Sequence, residues 1–356
     1  MSPSASLSTI PAVVDARHAS TADDPGMDPR LIALANQQGG AFTVHQAQAF
    51  HHISTVRRWE VNGTVGRVSR SVRSLTVDQR ETTADGLRRA RLRYRLPLAA
   101  VFHSAASLQG FGVVADPYLH IAALDARFLE PSPGVVVHQV RRRSPLVGYD
   151  DLIATDPADT AIDVASAAAE IDVLAVLDAA LRAGVSRPEL DRAVVRAHRQ
   201  RGIIAVRRWA AYADPRAQSP MESRTRQRIL AAGLPAPNLQ VPVRTASGRV
   251  RFLDNGWEDA KVGVDYEGDE FHTGTGAMAR DRIRHNDVND TGWRMFYPVA
   301  STIYHDHVAF VQMLGRALGH QPTLGGRVCL PAIGSVPRND FDPRMPPPVI
   351  WGSQCG

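Results

Sequence analysis

Four acidic side chains and one histidine in the C-terminal half of the chain have types suited to metal-dependent hydrolysis. They are Glu222, Asp254, Asp265, Glu267 and His272. Two or three converging carboxylates are enough to hold Mg²⁺ or Mn²⁺, which can activate a water molecule and stabilise charge building on a phosphate. We expect Glu222, Asp254 and Asp265 to be the metal ligands, the two aspartates also being catalytic. In this hypothesis Glu267 positions the attacking water, and His272 assists as a general acid or base.

The same residues also have structural interpretations. Glu222 follows Ser219 by three residues, the spacing of a capping box at a helix N-terminus. Asp254 precedes an Asn-Gly pair and fits a turn. Asp265 and Glu267 would be ordinary surface charges if their strand had a solvated edge. Only the occurrence of all these residues together, in one order of elements, favours the functional hypothesis.

The elements that must position these residues are predicted in the order α-β-β-β-α-β-α. The first helix, "SPMESRTRQRILAAGLP", begins at the cap Ser219 with Pro220 in its first position. Side chains alternate between the two faces of a strand, so Asp265 and Glu267 would share a face of the third strand. The remaining predicted elements are the strands "NLQVPVRT", "GRVRFLDN", "AKVGVDYEG" and "WRMFYPVA" and the helices "GAMARDRIRHNDVNDTG" and "IYHDHVAFVQMLGRALG". The stretch "NGWEDA" is predicted to be the turn between the second and third strands.

The segment from about 219 to 318 resembles a known family of nuclease-like domains. The matching stretches are "SPMESRTR", "LPAPNLQVPV", "FLDNGW", "VGVDYEGDEFH", "RDRIRHND" and "TGWRMFYPV". They are similar to uncharacterised domains related to very-short-patch-repair endonucleases, a branch of the PD-(D/E)xK superfamily. The resemblance implies a restriction-endonuclease-like α/β domain, a Mg²⁺ cofactor and DNA as the substrate. It places the family's acidic and histidine positions on the five residues above, and Arg280 and Arg284 on a basic helix that approaches phosphate.

The chain departs from the family pattern at three places. The position of the superfamily's catalytic lysine holds Glu267, and the usual Glu-x-Asp order is Asp-x-Glu here. The family's histidine position holds Phe271, with His272 one residue later. Lys261, the single lysine of the chain, shares the strand parity of Asp265. Four strand residues separate the two by about 13 Å, so Lys261 does not substitute for the missing lysine.

The N-terminal part predicts a winged helix-turn-helix. Three short helices, "PRLIALANQQG", "VHQAQAF" capped by Thr43 and "TVRRWEVNG" capped by Ser54, precede a predicted hairpin, "TVGRVSRSVRSL". A recognition helix of such a fold enters the major groove of DNA. The DNA-facing charges would be Arg57 and Arg58 on the third helix and Arg67 and Arg70 on the wing. A small helical domain with a solvated basic face explains the pattern equally well.

The N-terminal half also resembles a family. The stretches "LIALANQQGGAFTVHQAQAF", "HSAASLQGFG" and "TDPADTAIDVA" are similar to proteins with an AbiEi-type antitoxin winged helix. This resemblance implies DNA as a partner and admits a toxin-like protein partner.

The predicted fold class is therefore α+β multidomain. We expect a disordered leader at 1–27, a winged-helix-like DNA-binding domain at 28–75 and a mixed, then helical middle region at 76–213. A PD-(D/E)xK endonuclease-like domain at 219–319 and a Pro/Gly-rich tail at 320–356 follow. In the middle region "LPLAAVFHSAASLQGFG" is predicted to be a helix and "PGVVVHQVRRR" a strand with a basic run.

The composition limits the broad class of protein. The formal charge is +5, almost all of it from arginine, which favours nucleic acid as a partner or reflects a GC-rich coding sequence. No apolar run approaches the roughly 20 residues that span a bilayer, and we expect no signal peptide and no membrane partner. The two cysteines, Cys329 and Cys355, argue against a disulfide framework and fit a cytoplasmic protein.

Three hypotheses follow from the sequence. The first is a Mg²⁺- or Mn²⁺-dependent DNA endonuclease or nickase. The second is an antitoxin-like transcriptional regulator with an inactive nuclease-like domain, which the missing lysine and the reordered acidic pair favour. The third is a soluble α/β protein whose acidic cluster is structural.

Overall fold

The computed structural model describes residues 26–75, 82–125, 129–130, 132–138, 144–245, 247–268 and 287–323. The chain is a mixed α+β protein that divides into two compact units, residues 1–77 and 78–356. The first unit ends two residues after the predicted winged-helix-like domain. The further division of the second unit at residues 213–219 remains a prediction.

Unit 1 contains three helices and a three-stranded antiparallel sheet in the order β1-β3-β2. Its elements are α1 (Pro29–Gln37), β1 (Ala41–Thr43), α2 (Val44–Gln48), α3 (Ile53–Val61), β2 (Val65–Arg67) and β3 (Val72–Leu75). Thr43 forms the predicted cap of α2, in a full capping box with Gln46. The cap predicted at Ser54 is wrong, because α3 begins at Ile53, two residues before the predicted start, and His52 caps it. Leu31, Phe42, Val56 and Trp59 fill the core of this unit.

The first part of unit 2 is a five-stranded sheet in the order β6-β5-β4-β8-β7. Its elements are α4 (Thr83–Tyr94), β4 (Leu98–Ala100), α5 (Phe102–Leu108), β5 (Leu119–Ala123), β6 (Val135–His138), β7 (Leu146–Tyr149) and β8 (Leu152–Thr155). The predicted single helix from residue 96 to 112 is wrong. Its first part forms β4 in the middle of the sheet, because a short run of apolar and small residues does not by itself distinguish a buried strand from a helix. The predicted strand in "PGVVVHQVRRR" is confirmed as β6.

The second part of unit 2 is helical, as predicted for the later part of the middle region. The elements are α6 (Pro157–Ala167), a 3-10 turn (Glu170–Asp172), α7 (Val173–Arg182), α8 (Arg187–Arg196) and α9 (Ile203–Ala210). Ser186 and Glu189 form the capping box that starts α8. The buried side chains of these helices make one apolar core, in which Leu174, Leu177 and Trp209 are almost fully enclosed.

The last part of unit 2 is a four-stranded sheet in the order β12-β11-β10-β9 with helices packed on it. Strands β9, β10 and β11 pair antiparallel, and β12 runs parallel to β11. The elements are α10 (Pro220–Ala231), β9 (Asn238–Arg244), β10 (Val250–Trp257), β11 (Val262–Val264), β12 (Arg294–Phe296), α11 (Ala300–Tyr304) and α12 (His307–Leu318). Residues 287–289 are also helical, and the rest of the predicted helix at 276–292 lies outside the described residues.

Three predicted boundaries in this last part of unit 2 are wrong, two of them in strands and one in a helix. The turn predicted from Asn255 to Ala260 begins later, because β10 continues through Trp257 in ladder pairing with β11. The third strand ends at Val264, so Asp265 and Glu267 follow it rather than lie within it. The single closing helix is two helices that break between Tyr304 and His307.

Helix α10 is packed against α7 as well as against the last sheet. Arg226 of α10 donates from Nη2 to both carboxylate oxygens of Asp178 in α7, at 2.8 and 2.7 Å, and both side chains are buried. Gln227 accepts the N–H of Leu174 at 3.0 Å and donates to the carbonyl of Glu170. A buried pair with this geometry fixes two elements relative to each other, since removing either partner leaves the other charge buried.

Among the described residues, none of the helices combines the length and the apolar character needed to cross a membrane.

Candidate functional site

The predicted aspartates Asp254 and Asp265 lie side by side where β10 and β11 separate. Asp265 Oδ1 accepts the backbone N–H of Asp254 at 2.9 Å. In return, Asp254 Oδ2 accepts the backbone N–H of Tyr266, also at 2.9 Å. Asp265 is only 6% exposed. The two carboxylates therefore accept backbone N–H groups next to the Asn255–Val264 pair, where the ladder between β10 and β11 ends. An ionised carboxylate suits this role because it accepts hydrogen bonds and donates none.

Glu222 lies in the first turn of α10, where the predicted cap Ser219 accepts its backbone N–H at 3.2 Å. Its own Oε2 accepts the backbone N–H of Gln218 at 2.8 Å and the side-chain amide of Gln240 at 3.3 Å. Burial raises the pKa of Glu222 above its usual value, and the negative charge of Asp265 adds to the rise. Glu222 and Asp265 are therefore close enough to repel each other electrostatically.

The other predicted site residues are placed as follows. Glu267 is partly exposed, and its backbone N–H bonds the carbonyl of Pro298 at 3.0 Å. Lys261 is exposed in the turn before β11. His272, Arg280 and Arg284 lie outside the described residues.

The described acidic residues are engaged in hydrogen bonds with the protein. Within the part of the chain that the structure describes, no three side chains of His, Cys, Asp or Glu are arranged to hold a metal ion. The structure does bring Asp254 and Asp265 together and sets Glu222 within electrostatic range. It also gives oxygens of all three carboxylates hydrogen bonds with the protein. The arrangement as it stands holds strands and a helix N-terminus in place.

The predicted basic residues of unit 1 form an exposed surface. Arg57 and Arg58 are exposed on α3, whose opposite side, including Val56 and Trp59, is buried in the core. Arg67 ends β2 and Arg70 lies in the following turn, and both are exposed. We name these four arginines the basic surface of unit 1.

A fifth arginine of the hairpin points inward and has a structural role. Arg73 is 6% exposed and forms an ion pair with Glu60 at the end of α3. Its Nη1 donates to the carbonyl of Ser69 at 2.9 Å. The pair fixes the hairpin against α3, so the arginines of the basic surface are carried on connected elements.

Two residues that contact the acidic site were not identified from the sequence. Gln218 and Gln240 bond each other at 3.1 Å through their side chains, and both bond Glu222. Gln240 also has a positive φ of 53°, which is uncommon outside glycine and marks an irregularity in β9. No spacing in the sequence connects these residues, because Gln218 precedes α10 and Gln240 lies in β9.

Comparison with known proteins finds two relatives in Mycobacterium tuberculosis. The uncharacterized protein MT2308 of strain CDC 1551 / Oshkosh and the uncharacterized protein Rv2248 of strain H37Rv are each 36% identical to this chain over 195 residues. The alignment covers 54% of this chain and 71% of each relative. A solved structure, that of the RV2827C protein from Mycobacterium tuberculosis, matches with a TM-score of 0.37 and 15% identity, over 57% of this chain and 80% of that chain. No family model matches the chain.

Proposed function

The chain belongs to the family of the uncharacterized Mycobacterium tuberculosis proteins MT2308 and Rv2248, and from its own geometry we propose that it is a DNA-binding regulator. Unit 1 would be the DNA-binding winged helix, of the kind found in AbiEi-type antitoxins. The segment 219–319 would be a nuclease-like domain that serves as a platform for a toxin-like protein partner.

The observation that carries the proposal is the basic surface of unit 1. Its four arginines are exposed on α3 and on the β2–β3 hairpin, while Arg73 of the same hairpin is used internally. Arginine guanidinium groups bind phosphate with directed hydrogen bonds, and their contacts release counterions from DNA. A helix with an exposed basic face followed by a basic hairpin matches the way in which a recognition helix and a wing meet a duplex.

Binding of the full chain to a fluorescently labelled duplex, followed by anisotropy at several salt concentrations, tests this proposal. Each phosphate contact contributes about 0.9 to the slope of log K against log salt. We expect Arg57→Ala/Arg58→Ala to weaken binding and to reduce this slope by about 1 to 2. The matched control is Arg192→Ala/Arg199→Ala, which removes two exposed arginines of unit 2. Equal losses in both double variants would refute a specific role for unit 1.

The state of the acidic residues favours a regulator over an enzyme. Asp254 and Asp265 each accept a backbone N–H, and the described residues include no group of three donors arranged for a metal. The lysine position of the nuclease superfamily that the segment resembles holds Glu267. We therefore derive no catalytic step through Mg²⁺ or Mn²⁺.

A metal-dependent DNA endonuclease or nickase is the second candidate. The observation that favours it is the approach of Glu222 to Asp265, because like charges near each other are a feature of sites that a cation neutralises. Purified protein is incubated with supercoiled plasmid and Mg²⁺ or Mn²⁺, with EDTA and with Asp265→Ala as controls. Metal-dependent nicking that is lost in the variant would establish the enzyme. Binding without nicking is the result expected of the regulator.

A further inference from the structure

Three histidines and one aspartate from separate elements meet at one corner of the five-stranded sheet. His120 lies in β5, His138 ends β6, His103 is the second residue of α5, and Asp116 lies in the loop between α5 and β5. We call these four residues the histidine cluster. They belong neither to the acidic site nor to the basic surface.

The rings of His120 and His138 are in direct contact. His120 Nδ1 lies 2.8 Å from His138 Nε2, and the ring centroids are 5.0 Å apart. On the other side of the cluster, His120 Nε2 lies 3.2 Å from Asp116 Oδ1, and His103 Nε2 lies 3.8 Å from Asp116 Oδ2. His120 is 7% exposed, and its Nε2 makes no hydrogen bond of good geometry with the described residues. His120 is thus enclosed, with the Asp116 carboxylate on one side and the half-buried His138 ring on the other.

The contact between the two rings limits how many protons the pair can hold. A hydrogen bond between imidazole nitrogens needs an N–H on one nitrogen and a lone pair on the other. One extra proton is accommodated, since the ring that stays neutral turns its lone pair toward the charged ring. A second extra proton puts an N–H on both facing nitrogens and a positive charge on both rings. The contact of His120 with His138 therefore exists only while at most one of the two is charged.

Phe102 connects the histidine cluster to the helical core. Its ring stacks on His138 with centroids 4.2 Å apart, and it packs against the core of the helices that follow the sheet. Its φ is 48°, a conformation that a bulky residue keeps only where its surroundings enforce it. Displacement of His138 removes one of the contacts that hold Phe102, so the disturbance reaches α5.

We propose that the histidine cluster is a proton-sensitive lock on the corner formed by α5, β5 and β6. The lock is closed near neutral pH, where at most one of the two contacting rings is charged. It opens when the pair takes up its second proton, which separates His138 from His120 and releases Phe102. Among the described residues, the titratable groups facing this pair are His103 from α5 and Asp116 from the loop between α5 and β5.

Burial acts in the same direction. It lowers the pKa of His138 from 6.5 to about 4, the neighbouring histidines adding to the effect, and it also lowers the pKa of His103. A histidine with a lower pKa in the folded state takes up its proton more readily after opening. The stability that neutral His138 gives to the closed state is therefore fully present above pH 6.5 and declines as the pH falls from there toward 4. For His138 alone, the closed state loses up to about 30-fold in its equilibrium against opening at pH 5.

Hydrogen exchange of the full chain near pH 7.5 and near pH 5, corrected for the intrinsic exchange rate, tests the lock. We expect the opening constants of amides in α5, β5 and β6 to rise at least about tenfold at the lower pH, while those of β9 and β10 do not. His138→Phe keeps a ring against Phe102 but cannot be protonated, so its local rise should be under about threefold. The control His198→Phe replaces an exposed histidine and should keep the response of the unmodified chain.

A uniform rise across unit 2, or an unchanged local response in His138→Phe, would overturn the proposal. Should that variant fail to fold, NMR titration of the ring protons of the unmodified chain decides. The proposal requires the ring of His138, whose pKa burial lowers to about 4, to titrate below about pH 5. Titration of His138 near pH 6.5 would overturn it, as would stabilisation of the corner by Zn²⁺, which would identify a metal site instead.

Discussion

Replacement of Asp265 by alanine distinguishes a carboxylate that holds the sheet from one that is retained for a reaction. The side chain is 6% exposed, and its Oδ1 is the acceptor for the backbone N–H of Asp254 at 2.9 Å. Leaving a buried N–H without an acceptor costs about 1–3 kcal/mol. The variant also removes the repulsion between Asp265 and Glu222, which returns part of that amount. We expect the free energy of unfolding to fall by about 1–2 kcal/mol.

Two further variants separate the contributions. Asp265→Asn keeps an oxygen acceptor at the same place and removes the charge, so it should cost less than half as much as the alanine variant. Glu222→Gln removes the charge of a group whose pKa is raised by burial and by Asp265. A carboxyl with a raised pKa supports the folded state below its unfolded pKa, and that support is lost as the pH rises through the folded value. Glu222→Gln should therefore stabilise the protein near pH 7.

The assay is urea unfolding of the full chain near pH 7, followed by circular dichroism, with and without Mg²⁺. The reasoning is wrong if Asp265→Ala is as stable as the unmodified chain or more stable. Such a result would mean that the hydrogen bond to Asp254 contributes nothing to the free energy of unfolding. That is the result expected of a carboxylate that is retained for a reaction and not for stability. An increase in stability with Mg²⁺ that Asp265→Ala abolishes would favour the nuclease candidate.

Substitutions at three other positions test the packing and capping of the helices of unit 2. Arg226→Met leaves Asp178 buried without its partner, so the free energy of unfolding should fall by about 3–5 kcal/mol, measured by urea unfolding. Asp178→Leu in the same chain should restore only part of this loss, because the backbone N–H of Asp214 then loses its acceptor at 2.7 Å. A double variant no more stable than the single one would contradict this. Gly202 has a φ of 84° and lies against the carbonyl of Ser166. Gly202→Ala should therefore lower the free energy of unfolding by about 2 kcal/mol or more, measured by urea unfolding. An unchanged stability would exclude this close approach. Asp156 caps α6 through two backbone N–H groups, and Asp156→Ala should cost about 1 kcal/mol, whereas Asp156→Ser should cost less.

Local sequence signals predicted the elements that begin or end with a specific side chain. Thr43 and Ser219 each cap the helix that the sequence assigned to them, because a cap depends on neighbours three residues away. The hairpin of unit 1 and the paired strands β9 and β10 were likewise found from alternation and turn residues. The cap at Ser54 failed because His52, an uncommon cap residue, accepts in its place.

Apart from β6, the sheet between residues 98 and 155 could not be predicted in the same way. Its strands are three to five residues long, and β4 consists of Leu98 and two alanines. Such runs have no alternation, because both faces of a central strand are buried. The histidine cluster was missed for a related reason. Its members are separated by loops and by strand pairing, so no spacing along the chain connects them.

The acidic site was predicted as a set of residues but not as an arrangement. The sequence places Asp254 and Asp265 on neighbouring strands, and the structure brings them together. Whether two adjacent carboxylates meet a cation or backbone N–H groups depends on where the strand ladder ends. That point follows from the register of Asn255 with Val264, which no local pattern specifies.

The position of α10 between α7 and the last sheet has a consequence for modularity. A fragment that begins at residue 219 would keep every strand of the last sheet, yet it would expose the guanidinium of Arg226 and the amide of Gln227 without their partners. The segment therefore cannot be transplanted onto another protein as a self-sufficient cassette. A relative that exchanged this segment would need to exchange α7 with it, so recombination is expected to respect the junction near residue 78 rather than the one near residue 219.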